Sequence, residues 1–278
     1  MEPAQFSIIT RDDINLYALD WSPQGESKAV VCLIHGLGEH CSRYDHVARA
    51  LNQVGYAMLA FDLRGHGRSG GPRGHAPSAD AFLEDIDHLF VQAKKRYPGK
   101  PRFIYGHSLG GILALYYCLR RTPDINGLVS TGAGLRSPLM EQKLKVAFAN
   151  TMAAILPTMT LATGLNPEHL SRDPQVAQNY RNDPLVHYKA SLAMASSTIR
   201  ATQWTMEHAA ELSYPLLLIH GAADQLTYPS GSQEFARRVS GSCTLRLWEG
   251  MYHEVHNEPE KEQVFAEIVQ WMDNQLPR

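Results

Sequence analysis

Apolar positions along this chain fall into two alternating rhythms. Continuous apolar, β-branched runs occupy residues 29–34, 56–61, 103–105, 125–130 and 215–220, the pattern of strands buried on both faces of a parallel sheet. Between them lie stretches of helical period: residues 44–54 with Val47, Leu51 and Val54 on one side, residues 78–97 with Phe82, Ile86, Leu89, Phe90 and Ala93, and residues 109–121. Ser78 is placed to cap its helix, and Pro98-Gly99 ends it. Residues 6–10 and 14–21 read as two short strands around Arg11-Asp12-Asp13, residues 244–248 as a last strand, and residues 258–272 as a last helix. Strand, helix and strand in this order predict an α/β fold, a mostly parallel sheet covered by helices on both faces.

The rhythm breaks once. Residues 133–212 carry helical patterns without a convincing strand, which divides the chain into a first core part (1–132), a helical insertion after the sixth strand (133–212) and a second core part (213–278). An insertion at the strand ends would cap a ligand site. Within it, residues 144–165 include Val146, Phe148, Met152, Ile155, Leu156, Met159 and Leu161. These either pack cap helices on one another or offer apolar surface to an acyl chain, a membrane or a micelle. Asn150 and Pro157 argue against a spanning segment, and the chain has no apolar run of 18 residues.

Candidate chemistry clusters at the strand ends. Gly106-His107-Ser108-Leu109-Gly110 follows a strand and opens a helix, the setting in which a GxSxG serine projects alone from a tight turn as a nucleophile. Such a hydroxyl needs a base, and the base an orienting acid. Asp224 follows the strand ending at His220, and His253 the strand ending at Trp248. His256 competes with His253, and Glu249 with Asp224. His220 reads as a packed wall of the site, and His107 as held inside the elbow. The backbone N–H groups of Leu37, in His35-Gly36-Leu37-Gly38, and of Leu109 are the oxyanion candidates. That first loop lacks the lysine and spacing of a phosphate-binding loop, and Gly65-His66-Gly67-Arg68-Ser69-Gly70 reads as turn structure.

Composition narrows the partners. Lys plus Arg number 26 against 28 Asp plus Glu, a net charge of -2, which gives no electrostatic reason to expect nucleic acid. The four cysteines, Cys32, Cys41, Cys118 and Cys243, form no CxxC pair and read as free thiols. The N-terminus lacks a basic region leading into an apolar stretch, so the expectation is a cytoplasmic protein, peripheral to a membrane at most.

Taken together, His35-Gly36 with Gly38-Glu39-His40 and Arg43-Tyr44, Asp62-x-x-Gly65-His66-Gly67-x-Ser69, the Ser108 elbow, Gly221-x-x-Asp224, and Tyr252-His253 with His256 resemble the monoacylglycerol lipase and lysophospholipase-like branch of the α/β-hydrolases. Leu170-Ser171-Arg172-Asp173 and Tyr180-x-x-Asp183-Pro184-Leu185 extend the resemblance into the insertion. It implies an α/β-hydrolase fold, Ser108, Asp224 and His253 as triad, Leu37 and Leu109 as oxyanion donors, and Glu39, Arg43 and His256 near the leaving alcohol. A Glu39–Arg43 ion pair bracing the loop is compatible with that role. Leu109 stands where many relatives have Met, and Cys41-Ser42 where they often have Ser-Gly. The implied reaction is hydrolysis of medium- or long-chain monoacylglycerols, with no metal or organic cofactor. A carboxylesterase, a lysophospholipase and a non-catalytic binding protein remain the alternatives.

Overall fold

The computed structural model describes residues 2–277, apart from the side chains at 143–145 and 148. The chain opens with the antiparallel pair β1 (Ala4–Ile9) and β2 (Asn15–Trp21), then alternates β3 (Ala29–Ile34), α1 (Asp45–Gln53), β4 (Tyr56–Phe61), α2 (Ala79–Arg96), β5 (Arg102–His107), α3 (Leu109–Arg121) and β6 (Gly127–Thr131). The insertion contributes α4 (Pro138–Glu141), α5 (Lys143–Ile155), β7 (Thr160–Ala162), α6 (Pro174–Asn182), β8 (Lys189–Ser191) and α7 (Leu192–Glu207). The core resumes with β9 (Leu216–Gly221), α8 (Pro229–Arg238), β10 (Cys243–Trp248) and α9 (Lys261–Asp273).

Eight strands form one sheet in the order β1-β2-β4-β3-β5-β6-β9-β10. The β1–β2 and β2–β4 pairs are antiparallel, and every pair from β4 to β10 is parallel. This is the α/β-hydrolase arrangement, with a helical insertion after β6 as the broken rhythm predicts. The continuous apolar runs are explained by two hydrophobic layers. Val30, Cys32 and Ile34 of β3 enter the layer that holds Phe82, Ile86, Leu113 and Phe235, while Val31 and Leu33 enter the opposite layer with Val47, Leu51, Val264 and Ile268. A strand with both faces buried has no polar face to alternate with.

Local chemistry sets the helix limits. Ser78 Oγ accepts the Ala81 N–H at 3.2 Å, and Lys94, Lys95 and Arg96 close α2 at its negative end. Asp173 caps α6 through the Gln175 N–H at 2.9 Å, with Pro174 in the first turn where no N–H is needed.

The structure departs from the sequence expectation in one place and adds a helix that the expectation did not include in a second. The insertion is not wholly helical: β7 and β8 pair antiparallel, Thr160 opposite Ser191. Three-residue strands are too short to carry a period, and their pairing is a long-range event. The second is α8, whose Pro-Ser-Gly-Ser start shows no apolar stripe and buries Gly231, Ser232 and Phe235. No described helix is long and apolar enough to cross a membrane.

Candidate active site

Parallel strands deliver their following loops to one edge, and there β3, β5, β6, β9 and β10 end together. Ser108 leaves β5 with φ 55° and ψ −114°, a positive φ that an ordinary residue adopts only under constraint. Its flanking glycines are required by contact: a Cβ on Gly106 would stand 2.3 Å from the Gly110 carbonyl oxygen, and one on Gly110 would stand 2.0 Å from the Ile34 oxygen. The Ser108 N–H is tied to the Thr131 carbonyl at the end of β6, at 2.9 Å. Ser108 sits at the N-cap of α3, yet its side chain makes no capping bond. The hydroxyl is half-buried and not spent on local structure.

Asp224 and His253 are brought together from separate loops. Asp224 Oδ2 lies 2.7 Å from His253 Nδ1, and Oδ1 accepts the N–H groups of Leu226 and Thr227 at 2.8 and 3.0 Å. Burial opposes its charge, but His253 and His220 hold the Asp224 carboxyl well below the usual range. Burial likewise opposes an imidazolium at His253, and the Asp224 carboxylate outweighs it, so the His253 pKa is raised. Glu249 is exposed and takes no part in this pair. His220, buried, approaches Asp224 Oδ2 at 3.0 Å through Nε2 and Ser232 Oγ at 2.8 Å through Nδ1. His107 turns to Thr131 Oγ1 at 3.1 Å, its ring 4.8 Å from that of His253.

The Leu37 loop is held rigid from both sides. His35 Nε2 accepts the Leu63 N–H at 2.8 Å, so its proton sits on Nδ1 and is donated to the Gly36 carbonyl at 2.8 Å. Burial pushes the His35 pKa down to about 3, which keeps this tautomer neutral. In a trans peptide the Leu37 N–H points opposite to the Gly36 carbonyl, away from His35. Glu39 Oε1 fixes the preceding peptide by accepting the Gly36 N–H at 2.6 Å. A Cβ on Gly36 would be 3.3 Å from Ser108 Cβ, so the loop lies directly against the elbow. The Leu109 N–H, first of α3, has no partner within its own helix.

Glu39 and Arg43 do pair, and Arg43 also takes Glu254. His256 sits on a single turn, Val255–Asn257, stacked on Tyr44 at 4.8 Å, with both ring nitrogens buried and unpartnered. His46 Nε2 meets the His256 carbonyl, not its ring. The Gly65–Gly70 run is turn structure, closed by the Gly65 N–H on the Gly70 carbonyl at 2.8 Å, and Asp62 before it accepts the N–H groups of Cys41 and Arg68 at 2.8 and 2.7 Å.

Two contributors escape sequence reasoning. Thr227 Oγ1 lies 2.8 Å from Asp224 Oδ2 and 3.0 Å from the Gly132 carbonyl, and nothing in its neighbourhood marks it. Glu254 does carry a signal: a carboxylate flanked by His253 and Val255 in a buried loop needs a cationic partner.

Fold and family together indicate the class, a serine ester hydrolase on the α/β-hydrolase fold. The Hydrolase_4 family, described as serine aminopeptidase S33, matches residues 25–260. Among curated proteins the chain is similar to a monoacylglycerol lipase of Mycolicibacterium smegmatis, 35% identical over 92% of this chain and 92% of that one. An uncharacterized abhydrolase domain-containing protein of Dictyostelium discoideum is 37% identical over 97% of this chain, which spans only 29% of that protein's length. Among solved structures, the monoacylglycerol lipase of Paleococcus ferrophilus superposes with a TM-score of 0.86 at 33% identity, over 94% of this chain and 99% of that one. The chain therefore belongs to the Hydrolase_4 family, in the monoacylglycerol lipase/esterase branch of the α/β-hydrolase superfamily.

Proposed function

We propose that the chain hydrolyses monoacylglycerols to free fatty acid and glycerol through an acyl-enzyme on Ser108. The observation that carries this reading is the buried 2.7 Å contact between Asp224 Oδ2 and His253 Nδ1, at the sheet edge where the Ser108 hydroxyl is free of any capping role. Ser108 Oγ attacks the acyl carbonyl while His253 Nε2 takes its proton. Asp224 holds the imidazole and stabilises the imidazolium. The N–H groups of Leu37 and Leu109 receive the oxyanion. His253 then protonates the leaving alcohol, and activates a water that releases the acid. Glu39, Arg43 and His256 form the alcohol side.

The glyceride preference is supported by the relatives named monoacylglycerol lipases, which align over most of their length. The insertion adds Ile155, Leu156, Met159 and Leu161, exposed at 67, 45, 46 and 48%, a surface suited to one acyl chain or to transient contact with a micelle or membrane. A protein acting at such surfaces from the cytoplasm is consistent with these features.

The test is turnover of monoacyl-, diacyl- and triacylglycerols, lysophospholipids and simple esters across chain length by the intact chain and by Ser108→Ala. Monoacylglycerols are expected to give the highest kcat/KM, and Ser108→Ala to lose about 10⁴-fold or more in kcat. Substantial residual turnover would rule out Ser108 as nucleophile, and preference for short simple esters over glycerides would rule out the substrate class.

A further inference from the structure

Glu254 follows His253 directly in sequence, yet its carboxylate turns to Arg43. Arg43 Nη1 and Nη2 donate to Glu254 Oε1 and Oε2 at 2.7 and 2.8 Å, the forked geometry by which a guanidinium binds a carboxylate or a phosphate. The same Nη1 also donates to Glu39 Oε2. Side-chain exposure is 12% for Arg43, 3% for Glu39 and 2% for Glu254, so water screens these charges little. Glu39 reaches the Gly36 N–H, and the Arg43 guanidinium lies 4.8 Å over the Tyr180 ring of the insertion. The cluster thus joins the oxyanion loop, the base loop and the cap, on the proposed alcohol side of the site.

A cation beside an ester's leaving group ordinarily invites an anionic headgroup. Here the fork that would receive it is filled by the protein's own carboxylate. Burial raises the pKa of Glu39, whereas Arg43 outweighs burial at Glu254 and holds that carboxyl well below its usual range. Whether Glu39 carries its proton or not, the charges of Arg43, Glu39 and Glu254 sum to zero or less. A phosphate would shed its water there without compensation, whereas glycerol hydroxyls lose little and meet acceptors. His107 and His256 also bring ring nitrogens within 4.8 Å of a Glu254 oxygen, but both Glu254 oxygens are engaged by a guanidinium whose charge repels a divalent cation.

We infer that Glu254 is a specificity-determining residue: by occupying the Arg43 fork it excludes anionic leaving groups and directs the site to uncharged polyol esters. This rests on the ester-hydrolase reading, in which the alcohol departs beside His253.

Glycerol monobutyrate and 1-butyryl-glycerol 3-phosphate, both monomeric in water, separate headgroup charge from any interfacial effect. The intact chain is expected to favour the neutral ester by about 100-fold or more in kcat/KM, and Glu254→Gln to narrow that ratio at least about tenfold, mainly through a lower KM for the phosphate ester. Glu254→Asp, which keeps the charge, restores the ratio. Should Glu254→Gln not fold, inhibition of the intact chain by glycerol 3-phosphate gives an independent reading: competitive inhibition far stronger than that by glycerol overturns the inference. A Glu254→Gln variant that loses both activities in proportion, or an intact chain that cleaves both esters equally, also overturns it. Turnover of neither ester by the intact chain defeats the glyceride reading as well, whereas equal turnover of both defeats the role of Glu254 alone.

Discussion

Asp224 divides its two oxygens between backbone and imidazole. Oδ1 takes the N–H groups of Leu226 and Thr227, which fixes the carboxylate plane, and Oδ2 is left for His253, His220 and Thr227 Oγ1. The pH consequence has a definite sign. The base must be neutral to accept the Ser108 proton, and Asp224 raises the His253 pKa, so more alkaline pH is needed to free the imidazole. The acid limb of kcat/KM should have its midpoint above the ordinary histidine value of 6.5. Asp224→Asn removes the charge that raises it, so the limb should move to lower pH while kcat falls by about 10⁴. An unmoved limb in the variant would show that another group sets it. Ser108, Asp224 and His253 were legible in the sequence as candidates because each lies within five residues of the end of a recognisable strand. Thr227 and Glu254 were not, because their roles depend on partners in other loops, Gly132 for the first and Arg43 for the second.

Among the elements, the insertion both covers the site and holds it. The carbonyl of Leu170 receives the Glu254 N–H at 2.7 Å, Ser171 Oγ donates to the Asn257 carbonyl at 2.9 Å, and Arg172 Nε pairs with buried Glu258 at 2.8 Å. The Leu170-Ser171-Arg172 run is therefore a clamp on the base loop. The outer face behaves differently, since α5 packs along α7 and leaves Ile155, with Leu156, Met159 and Leu161 beyond it, facing solvent. The side chains of Leu144 and Phe148, part of the same apolar expectation, lie outside those described. Each apolar side chain moved fully out of water contributes roughly 1.5–3 kcal/mol. Replacing Ile155, Met159 and Leu161 together by Ser should lower turnover of micellar long-chain monoacylglycerol at least about fivefold, and turnover of a monomeric short-chain ester much less. Equal losses on both substrates would remove the interfacial role. At this scale the sequence announced the five central strands, β3, β4, β5, β6 and β9, because two buried layers force uninterrupted apolar runs, whereas β1, β2 and β10 lie at or near the sheet edges and showed only through short β-rich segments beside turns. It was silent on β7 and β8, held by one another and by the α7 junction, and on α8, whose buried face is built of Gly231 and Ser232 as much as Phe235.

Across the whole molecule, two apolar layers glue helices to the sheet, but the loops at the strand ends are joined by buried charge. Arg64, in the turn after β4, binds Asp85 of α2 through Nε and Nη2, both at 2.7 Å, and Asp12 of the β1–β2 turn through Nη1 at 2.9 Å. The Arg64 and Asp85 side chains are 2% and 0% exposed, so each charge depends on the other for what water would supply. Such a pair adds little net stability over an apolar one, yet breaking it on one side strands a charge, at a cost of about 3–5 kcal/mol. Asp12, half exposed, replaces only part of the lost partner. For a chain of this length each kcal/mol lowers Tm by roughly 2–4 °C, so Asp85→Ala should melt on the order of 10 °C below the parent. Because the Asp85 carboxylate binds Arg64 and none of the candidate site residues, kcat/KM at 25 °C should stay within about threefold, a cost confined to stability. Calorimetric scans and initial rates on the same preparations check both halves. A Tm within about 2 °C of the parent would mean that Asp12 alone satisfies Arg64.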